Sequence, residues 1–211
     1  MEKVATILTP ELITQAKQLT AQNPKLEGFV AGEGSLTPKF VLVSEAPGRT
    51  EIKLGHPFQG PAGKELNEWC QQLGVSRDEI YIAAAVKSRP FNEKKGFKRD
   101  RKPTPAEIEA FAPFFDFEIA HLDCDLLVPM GNTGLERLLG RGQKIGEVHG
   151  QFLHHAILEW DVKHQQWHFS DREYTIFPTY HPSYSKRFKK MRPVVDADLK
   201  KLRAYLSGEP D

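Results

Sequence analysis

Residues 40–63 read FVLVSEAPGRTEIKLGHPFQGPAG, and the interpretation of the whole chain starts from this stretch. It opens with an apolar run, Phe40 to Val43, which is too short for a helix and typical of a buried strand. The run ends at Glu45, followed by the turn residues Pro47 and Gly48. Because open α/β sheets bind ligands at the carboxyl ends of their strands, Glu45 is a candidate site residue. Taken alone, it could equally be an ordinary acid at a strand end.

The second half of the stretch, from Gly55 to Gly63, is a loop rich in glycine and proline. Small residues let the backbone approach a ligand, and prolines restrict the motion of the loop. Phe58 lies in its middle, and an aromatic side chain on a rigid loop beside an acid predicts a pocket wall. Pro61 suits the first turn of a helix that ends at Gly74, and the free amides at such a helix start favour a phosphate.

The basic residues are unevenly distributed, although the net charge of the 211 residues is only +1. Segment 94–102 holds six basic residues and one acid, and segment 186–192 holds five basic residues and no acid, so the rest of the chain is acidic. Two basic clusters on an acidic chain indicate a surface for nucleic acid, because attraction depends on the local charge. The alternative for either cluster alone is a solvated loop.

Composition excludes several classes of protein. With 39% hydrophobic and 27% charged residues, the chain is expected to be an ordinary globular protein that forms a single domain, 1–211. The amino-terminal sequence lacks the apolar segment of a signal peptide and no stretch is long enough to span a membrane, so we expect a cytoplasmic protein without membrane contact.

Cys70 and Cys124 have no metal spacing and are predicted to be buried thiols. Five histidines between 149 and 168 also lack ligand spacing, so we predict no metal.

Predicted strands and helices alternate along the chain, which predicts a largely parallel sheet with helices on both faces. Residues 91–102 are interpreted as a basic loop, and residues 149–169 as a hairpin added to the core. Apolar runs predict strands at 40–43, 80–86, 125–130 and 174–179, and helical spacing predicts helices over 10–22, from 61 to 74, after 104, after 134 and after 192.

Three more polar side chains follow predicted strands. Lys87 and Arg89 follow the strand at 80–86, and His181 follows the strand at 174–179. In a parallel sheet these side chains share one edge with Glu45, where they would suit an aromatic group attached to a phosphate backbone. For Lys87 or Arg89 alone, a structural ion pair with Glu45 is the alternative.

Five segments of the chain are similar to the ordered motifs of family-4-type uracil-DNA glycosylases. They are SEAPGRTE (44–51), PFQGPAG (57–63), VKSRP (86–90), MGNTGLERLLG (130–140) and TYHPSYSKR (179–187), and they resemble the family's GEAPGxxED, PFxGPAG, NVVKCRP, LGxxAxxxLLG and THPSxxLR. The resemblance covers roughly residues 40 to 205. It implies one three-layer α/β/α domain with a short central, mainly parallel sheet, and excision of a flipped-out base from DNA as part of base excision repair.

The resemblance also implies roles for single residues. Phe58 would stack on the base, and His181 would donate a hydrogen bond to the base oxygen that gains charge as the sugar bond breaks. Glu45 and Glu51 would order a water or stabilise the cationic sugar, without one role being assigned to each. The remaining substrate-binding positions are Ala46, Pro47, Gly48, Ala84 and Lys87, and the DNA-binding positions are Gly60, Pro61, Ala62, Gly63, Arg89, Ser183, Tyr184, Lys186 and Arg187.

Three positions depart from the family pattern. Ala84 stands where the family has the asparagine that reads the uracil edge, and an alanine cannot make that amide contact. Ser88 replaces a cysteine ligand of the family's iron-sulfur cluster, and no cysteine pair precedes the first strand, so we predict no cluster and no cofactor. Ile52 follows Glu51 where the family has a second acid.

Three hypotheses about function follow. The first is a DNA glycosylase that acts as a monomer and removes uracil or another deaminated base. The second is a catalytically silent DNA-binding protein with the same fold, which Ala84 motivates. The third is an enzyme of free nucleosides or nucleotides, for which the basic clusters would serve no purpose; steep salt dependence would argue against it.

Overall fold

The computed structural model describes residues 5–209; residues 1–4 and 210–211, which the single-domain prediction includes, lie outside the described residues. The strands are β1 (Leu26–Glu27), β2 (Glu33–Gly34), β3 (Val41–Ser44), β4 (Tyr81–Ala84), β5 (Arg89–Lys94), β6 (Phe97–Asp100), β7 (Leu126–Pro129), β8 (Leu153–Asp161) and β9 (Gln166–Ile176). The α-helices are α1 (Pro10–Gln22), α2 (Arg49–Leu54), α3 (Pro61–Leu73), α4 (Pro105–His121), α5 (Gly131–Leu139), α6 (Ile145–Val148), α7 (Pro182–Arg187) and α8 (Arg192–Ser207). Two 3₁₀ turns lie at Arg77–Glu79 and Lys189–Met191.

The central sheet has six strands in the order β2-β4-β3-β7-β9-β8. The four inner strands are parallel, and β2 and β8 pair antiparallel at the two edges. The chain passes from β3 outward to β4 and then back across β3 to β7. Because such crossovers are right-handed, α3 lies on one face of the sheet and α4 and α5 lie on the other. The predicted three-layer α/β/α architecture is confirmed.

The helix boundaries follow from local sequence. In α1 the Thr9 hydroxyl accepts a hydrogen bond from the Leu12 amide at 3.3 Å, and a proline follows it in the first turn. Thr104 and Glu107 form a reciprocal capping box at the start of α4. Helix α3 ends at Gly74, whose φ of 70° is the left-handed conformation that glycine adopts without steric cost.

Residues 91–102 are mostly a hairpin, so their interpretation as a loop is wrong. Strands β5 and β6 pair antiparallel and join β1 in a small second sheet. Lys95 and Gly96 form the two-residue turn, and their φ values of 52° and 77° are those of a type I′ turn, whose twist suits a hairpin. The strand pattern is hidden in the sequence because both faces of the hairpin carry charged residues.

The predicted hairpin at 149–169 exists, but it belongs to the central sheet. Strand β9 runs from Gln166 to Ile176, so the first three residues of the strand predicted at 174–179 are the end of the second arm of this hairpin, and residues 177–179 lie beyond it. Trp160 and Trp167 face each other across the two arms with ring centroids 4.9 Å apart. The long β9 is stabilised at its amino-terminal half by β8 and at its carboxyl end by β7 as well.

The largest hydrophobic core packs against the central sheet, and a second one lies between α1 and α4. Cys70 and Cys124 are both buried thiols, as predicted. Across residues 5–209, no helix combines the length and the apolar character needed to cross a membrane.

Candidate active site

A cavity of about 560 Å³ opens at the carboxyl ends of β3, β4 and β7. The chain leaves β3 and β7 towards opposite faces of the sheet, and this divergence opens a crevice between adjacent strands. Glu45 follows β3 and Thr133 follows β7, and the Thr133 hydroxyl donates to the Glu45 carboxylate at 2.5 Å across the crevice. The predicted residues that line the cavity are Glu45, Ala46, Pro47, Gly48, Glu51, Phe58, Ala62, Ala84, His181 and Ser183.

Phe58 and His181 form one wall of the cavity. Their ring centroids lie 5.8 Å apart with an angle of 28° between the planes. Phe58 has a φ of 53°, which is rare for an aromatic residue and is maintained here by its surroundings. The Arg77 guanidinium donates to the Phe58 carbonyl at 3.0 Å and to the Pro57 carbonyl at 2.8 Å. The orientation of Phe58 is therefore fixed by its backbone.

Gly63 lies beneath this loop and is buried. A β-carbon at Gly63 would lie 1.8 Å from the Phe58 carbonyl oxygen, so only glycine allows α3 to pack so close to the loop. Gly63 was predicted to contact DNA. The structure gives it a close contact with the loop, whereas Pro61 is exposed and Gly60 and Ala62 are half-buried.

Glu51 accepts hydrogen bonds from two backbone segments at the cavity. One carboxylate oxygen accepts from the amides of Gln59 and Gly60, both at 2.9 Å, and the other accepts from the Gly48 amide at 3.1 Å. These amides include those at the starts of α2 and α3, which would otherwise lack acceptors. Glu51 thus ties the aromatic loop to the start of α2, which precedes the loop, and to the start of α3, which follows it.

His181 is the N-cap of α7. Its Nδ1 accepts a hydrogen bond from the Ser183 amide at 3.2 Å and lies 2.8 Å from the Ser183 hydroxyl. Because Nδ1 is an acceptor, the proton of the neutral ring lies on Nε2, and no partner for Nε2 is present among residues 5–209. Burial lowers the pKa of His181 from 6.5 to about 4, against an opposing effect of the Glu51 charge. At neutral pH this ring is an uncharged donor.

Lys87 and Arg89 do not face the cavity, and the expectation that they do is wrong. Lys87 is fully buried and pairs with Glu118 of α4. Burial lowers the pKa of Lys87 and raises that of Glu118, since an apolar interior disfavours both charges. The alternative interpretation expected Lys87 or Arg89 to form a structural ion pair with Glu45. Both do form ion pairs, but neither pairs with Glu45.

Arg89 is buried in a different cluster. Its guanidinium donates to Glu27 and, at 2.5 Å, to Asp100, so it ties β5 to β1 and β6. Because β5 belongs to the small second sheet, residues just after β4 turn away from the edge where Glu45 lies. The prediction assumed that both cations followed the strand direction of the central sheet.

Exposed cations follow His181 along α7. Ser183, Tyr184, Lys186 and Arg187 belong to α7, directly after His181, and all four are exposed. Within residues 5–209, Lys186 and Arg187 make no ion pair, whereas Arg192 pairs with Glu65 and Glu68. The second basic cluster therefore offers free positive charge beside His181.

Several polar residues that line the cavity were not identified as site residues from the sequence. Thr133 and the adjacent Asn132 follow β7, and the rule that identified Glu45 and His181 could have found them. The side-chain Oδ1 of Asn132 accepts a hydrogen bond from the Ile145 amide at 2.9 Å. Asp100 and Arg101 reach the cavity from the hairpin, and no sequence pattern indicated this.

The residues around Ser88 do not fit an iron-sulfur cluster. The Ser88 hydroxyl lies 2.6 Å from that of Thr20 in α1, and the Thr20 hydroxyl also donates to the Ala16 carbonyl at 2.9 Å. A pair of hydrogen-bonded hydroxyls therefore lies where the resemblance would place a cysteine ligand. Both cysteines lie in the core of the central sheet. Thiolates are the ligands such a cluster requires, and Ser88 and Thr20 supply none.

Comparison with known proteins agrees with this geometry. The chain is similar to the Type-4 uracil-DNA glycosylase of Sulfurisphaera tokodaii, with 33% identity over 82% of this chain and 73% of that protein. It is similar also to the Type-4 uracil-DNA glycosylase of Thermotoga maritima, with 32% identity over 85% of this chain and 84% of that protein. A DNA polymerase of Bacillus phage SP01 matches at 26% identity over 89% of this chain and 17% of its own length. The family model described as "Uracil DNA glycosylase superfamily" matches residues 31–205, so the chain belongs to the uracil DNA glycosylase superfamily.

Proposed function

We propose that the protein is a DNA glycosylase that hydrolyses the N-glycosidic bond of uracil or another deaminated base in DNA, as a step of base excision repair. The observation that carries the proposal is the stacked pair of Phe58 and His181 in a cavity that also contains Glu45. The relatives named Type-4 uracil-DNA glycosylase support the same activity.

The site supplies an aromatic surface and a neutral donor. A base flipped out of the helix stacks on Phe58, because groups inside a cavity cannot reach a base that remains stacked in the duplex. The bond between the sugar C1′ and the base nitrogen breaks, its electron pair leaves with the base, and negative charge develops on a base oxygen. His181 Nε2–H donates to that oxygen, and a fixed donor stabilises the charge as it forms.

We assign different roles to the two glutamates. Glu51 uses both carboxylate oxygens to accept backbone amides, so it positions the loop that carries Phe58. One oxygen of Glu45 accepts from Thr133, and the carboxylate lines the cavity. Glu45 stabilises the cationic sugar and orders the water whose oxygen adds to C1′, while the proton of that water neutralises the departing base.

The exposed side chains of α7 and the start of α3 hold the DNA. Lys186 and Arg187 contact phosphates, and Ser183 and Tyr184 enter the groove beside the flipped nucleotide. Gly60 and Ala62 bring backbone near the phosphate chain, with Pro61 exposed between them. We further propose that the protein works as a single-domain monomer in the cytoplasm.

A silent DNA-binding protein is the second candidate, and Ala84 favours it. Ala84 lines the cavity but carries no amide to read the edge of uracil. An active enzyme with this residue would discriminate less between deaminated bases, whereas a silent protein would excise none.

Abasic-site cleavage of labelled oligonucleotides tests the proposal, with uracil, hypoxanthine or xanthine in single strands and opposite each base. His181→Ala is expected to slow excision about 10²-fold or more, since it removes the donor. His155→Ala, at an exposed histidine on β8, is the matched control and should excise like the unsubstituted protein.

Ala84→Asn is expected to restore an amide and raise the preference for uracil roughly tenfold, in line with about 1–3 kcal/mol for a bidentate base contact. Absence of excision on every substrate, with salt-sensitive DNA binding intact, would overturn the glycosylase and leave the binding protein.

A further inference from the structure

The hairpin formed by β5 and β6, Arg89–Asp100, carries the first basic cluster and has two different faces. We call it the basic hairpin. Residues directly opposite in an antiparallel pair point to the same side, and Lys94 lies opposite Phe97 while Asn92 lies opposite Arg99. These four residues share one side, which we call the free face. Phe91, Glu93, Lys98 and Asp100 share the other, which we call the anchored face.

The anchored face ties the hairpin to the body of the protein. Lys98 pairs with Glu27, and its ammonium group lies 4.2 Å from the centre of the Phe91 ring. Phe91 is buried, and Asp100 accepts from Arg89. The cations and the aromatic ring of this side are therefore engaged, and they attach the hairpin to β1 and to the core.

The free face is composed differently. Phe97 is 74% exposed at the end of the type I′ turn. Within residues 5–209, Lys94 and Arg99 make no ion pair, and neither does Lys95 in the turn itself. A phenyl ring beside unpaired cations is what single strands of nucleic acid bind, because bases stack on the ring and phosphates attract the cations.

The basic hairpin continues directly from the proposed site. Asp100 and Arg101 line the cavity, and Phe97 lies three residues along the strand from Asp100. At about 3.3 Å per residue this places the Phe97 backbone about 10 Å along β6 from that of Asp100, with the two side chains on opposite faces of the hairpin. A strand of DNA advances about 3.4 Å per nucleotide, so the distance corresponds to about three nucleotides.

We propose that the basic hairpin is a second DNA-binding arm, in which Phe97 stacks on a base about three nucleotides from the flipped one and Lys94 and Arg99 contact the phosphates beside it. This inference rests on the proposed function, because that function places one nucleotide in the cavity.

The test uses oligonucleotides with a tetrahydrofuran abasic-site analogue, lengthened one nucleotide at a time on either side and measured by fluorescence anisotropy. For the unsubstituted protein, affinity is expected to rise when the strand extends about three nucleotides beyond the analogue on one side. Phe97→Ala should remove that rise and weaken binding to the longer strands about tenfold, whereas Phe97→Trp should restore it. Phe169→Ala is the matched control, since Phe169 is 49% exposed on the other hairpin.

A double variant tests the phosphate contacts. Lys94→Ala with Arg99→Ala is expected to reduce the slope of log affinity against log salt by about 1.4 on single strands, because each lost contact contributes about 0.7. Lys163→Ala, in the turn of the other hairpin, should leave the slope unchanged.

The outcomes separate the two proposals. If the unsubstituted protein excises uracil but Phe97→Ala binds every length equally well, the role of the basic hairpin is wrong and the glycosylase stands. If the protein excises nothing yet Phe97→Ala removes the rise in affinity, the proposed function fails and the binding arm stands.

Discussion

The partly buried position of His181 predicts a specific pH dependence of stability. Burial lowers its pKa to about 4 in the folded protein, while in the unfolded chain it stays near 6.5. Between these two values the unfolded state binds a proton that the folded state does not. The free energy of unfolding therefore falls as the pH falls through this interval, and His181→Gln removes this contribution.

The size of the effect follows from the two pKa values. At pH 7 both states are mostly unprotonated at this ring and the contribution is small. At pH 5 the unfolded state is almost fully protonated and the folded state is not, which lowers the free energy of unfolding by up to ~2 kcal/mol. Because the ring is partly open to the cavity, about 1 to 2 kcal/mol is the expected value.

Urea denaturation at pH 5, 6 and 7 measures this difference. The free energy of unfolding of His181→Gln relative to the unsubstituted protein should rise by about 1 to 2 kcal/mol as the pH drops from 7 to 5. His155→Gln, at an exposed ring, is the matched control and should follow the unsubstituted protein. An equal difference at all three pH values would show that burial of His181 does not disfavour its charged form.

Two further predictions concern the loop that carries Phe58. Glu51→Gln keeps the shape of the side chain, but the new NH₂ group faces a backbone amide that needs an acceptor. Urea denaturation should therefore show a free energy of unfolding lower by about 1 to 3 kcal/mol. An unchanged midpoint would mean that water replaces the lost contact. In a helix with room for the new methyl group, a glycine-to-alanine substitution is stabilising. In Gly63→Ala the β-carbon would instead clash with the Phe58 carbonyl, so the melting temperature should drop and uracil excision should slow. Lys64→Ala, at the next and exposed position, is the control; a melting temperature of Gly63→Ala equal to that of the control would contradict the clash.

The sequence predicted the central sheet because its strands are short apolar runs followed by turn residues. It also predicted the meeting of Glu45, Phe58 and His181, since parallel strands bring their carboxyl ends to one edge. These inferences need only local patterns and one rule of topology. The same rule of topology would also have identified Thr133, which follows β7.

The basic hairpin could not be predicted in that way. Its strands show no alternation of apolar and polar residues, because one side is anchored by ion pairs and the other is exposed. The buried cations Lys87 and Arg89 were misplaced for a related reason. Their partners Glu118 and Glu27 are distant in sequence, and only the tertiary fold brings these charges together.

The hydrogen bond between Ser88 and Thr20 has a consequence for how the protein is made. It joins α1 to the segment after β4 with two side chains that are present as soon as the chain is synthesised. Helix α1 and the segment after β4 can thus pack together without iron or sulfide. Neither hydroxyl in this contact is oxidised by peroxide or removed by a chelator.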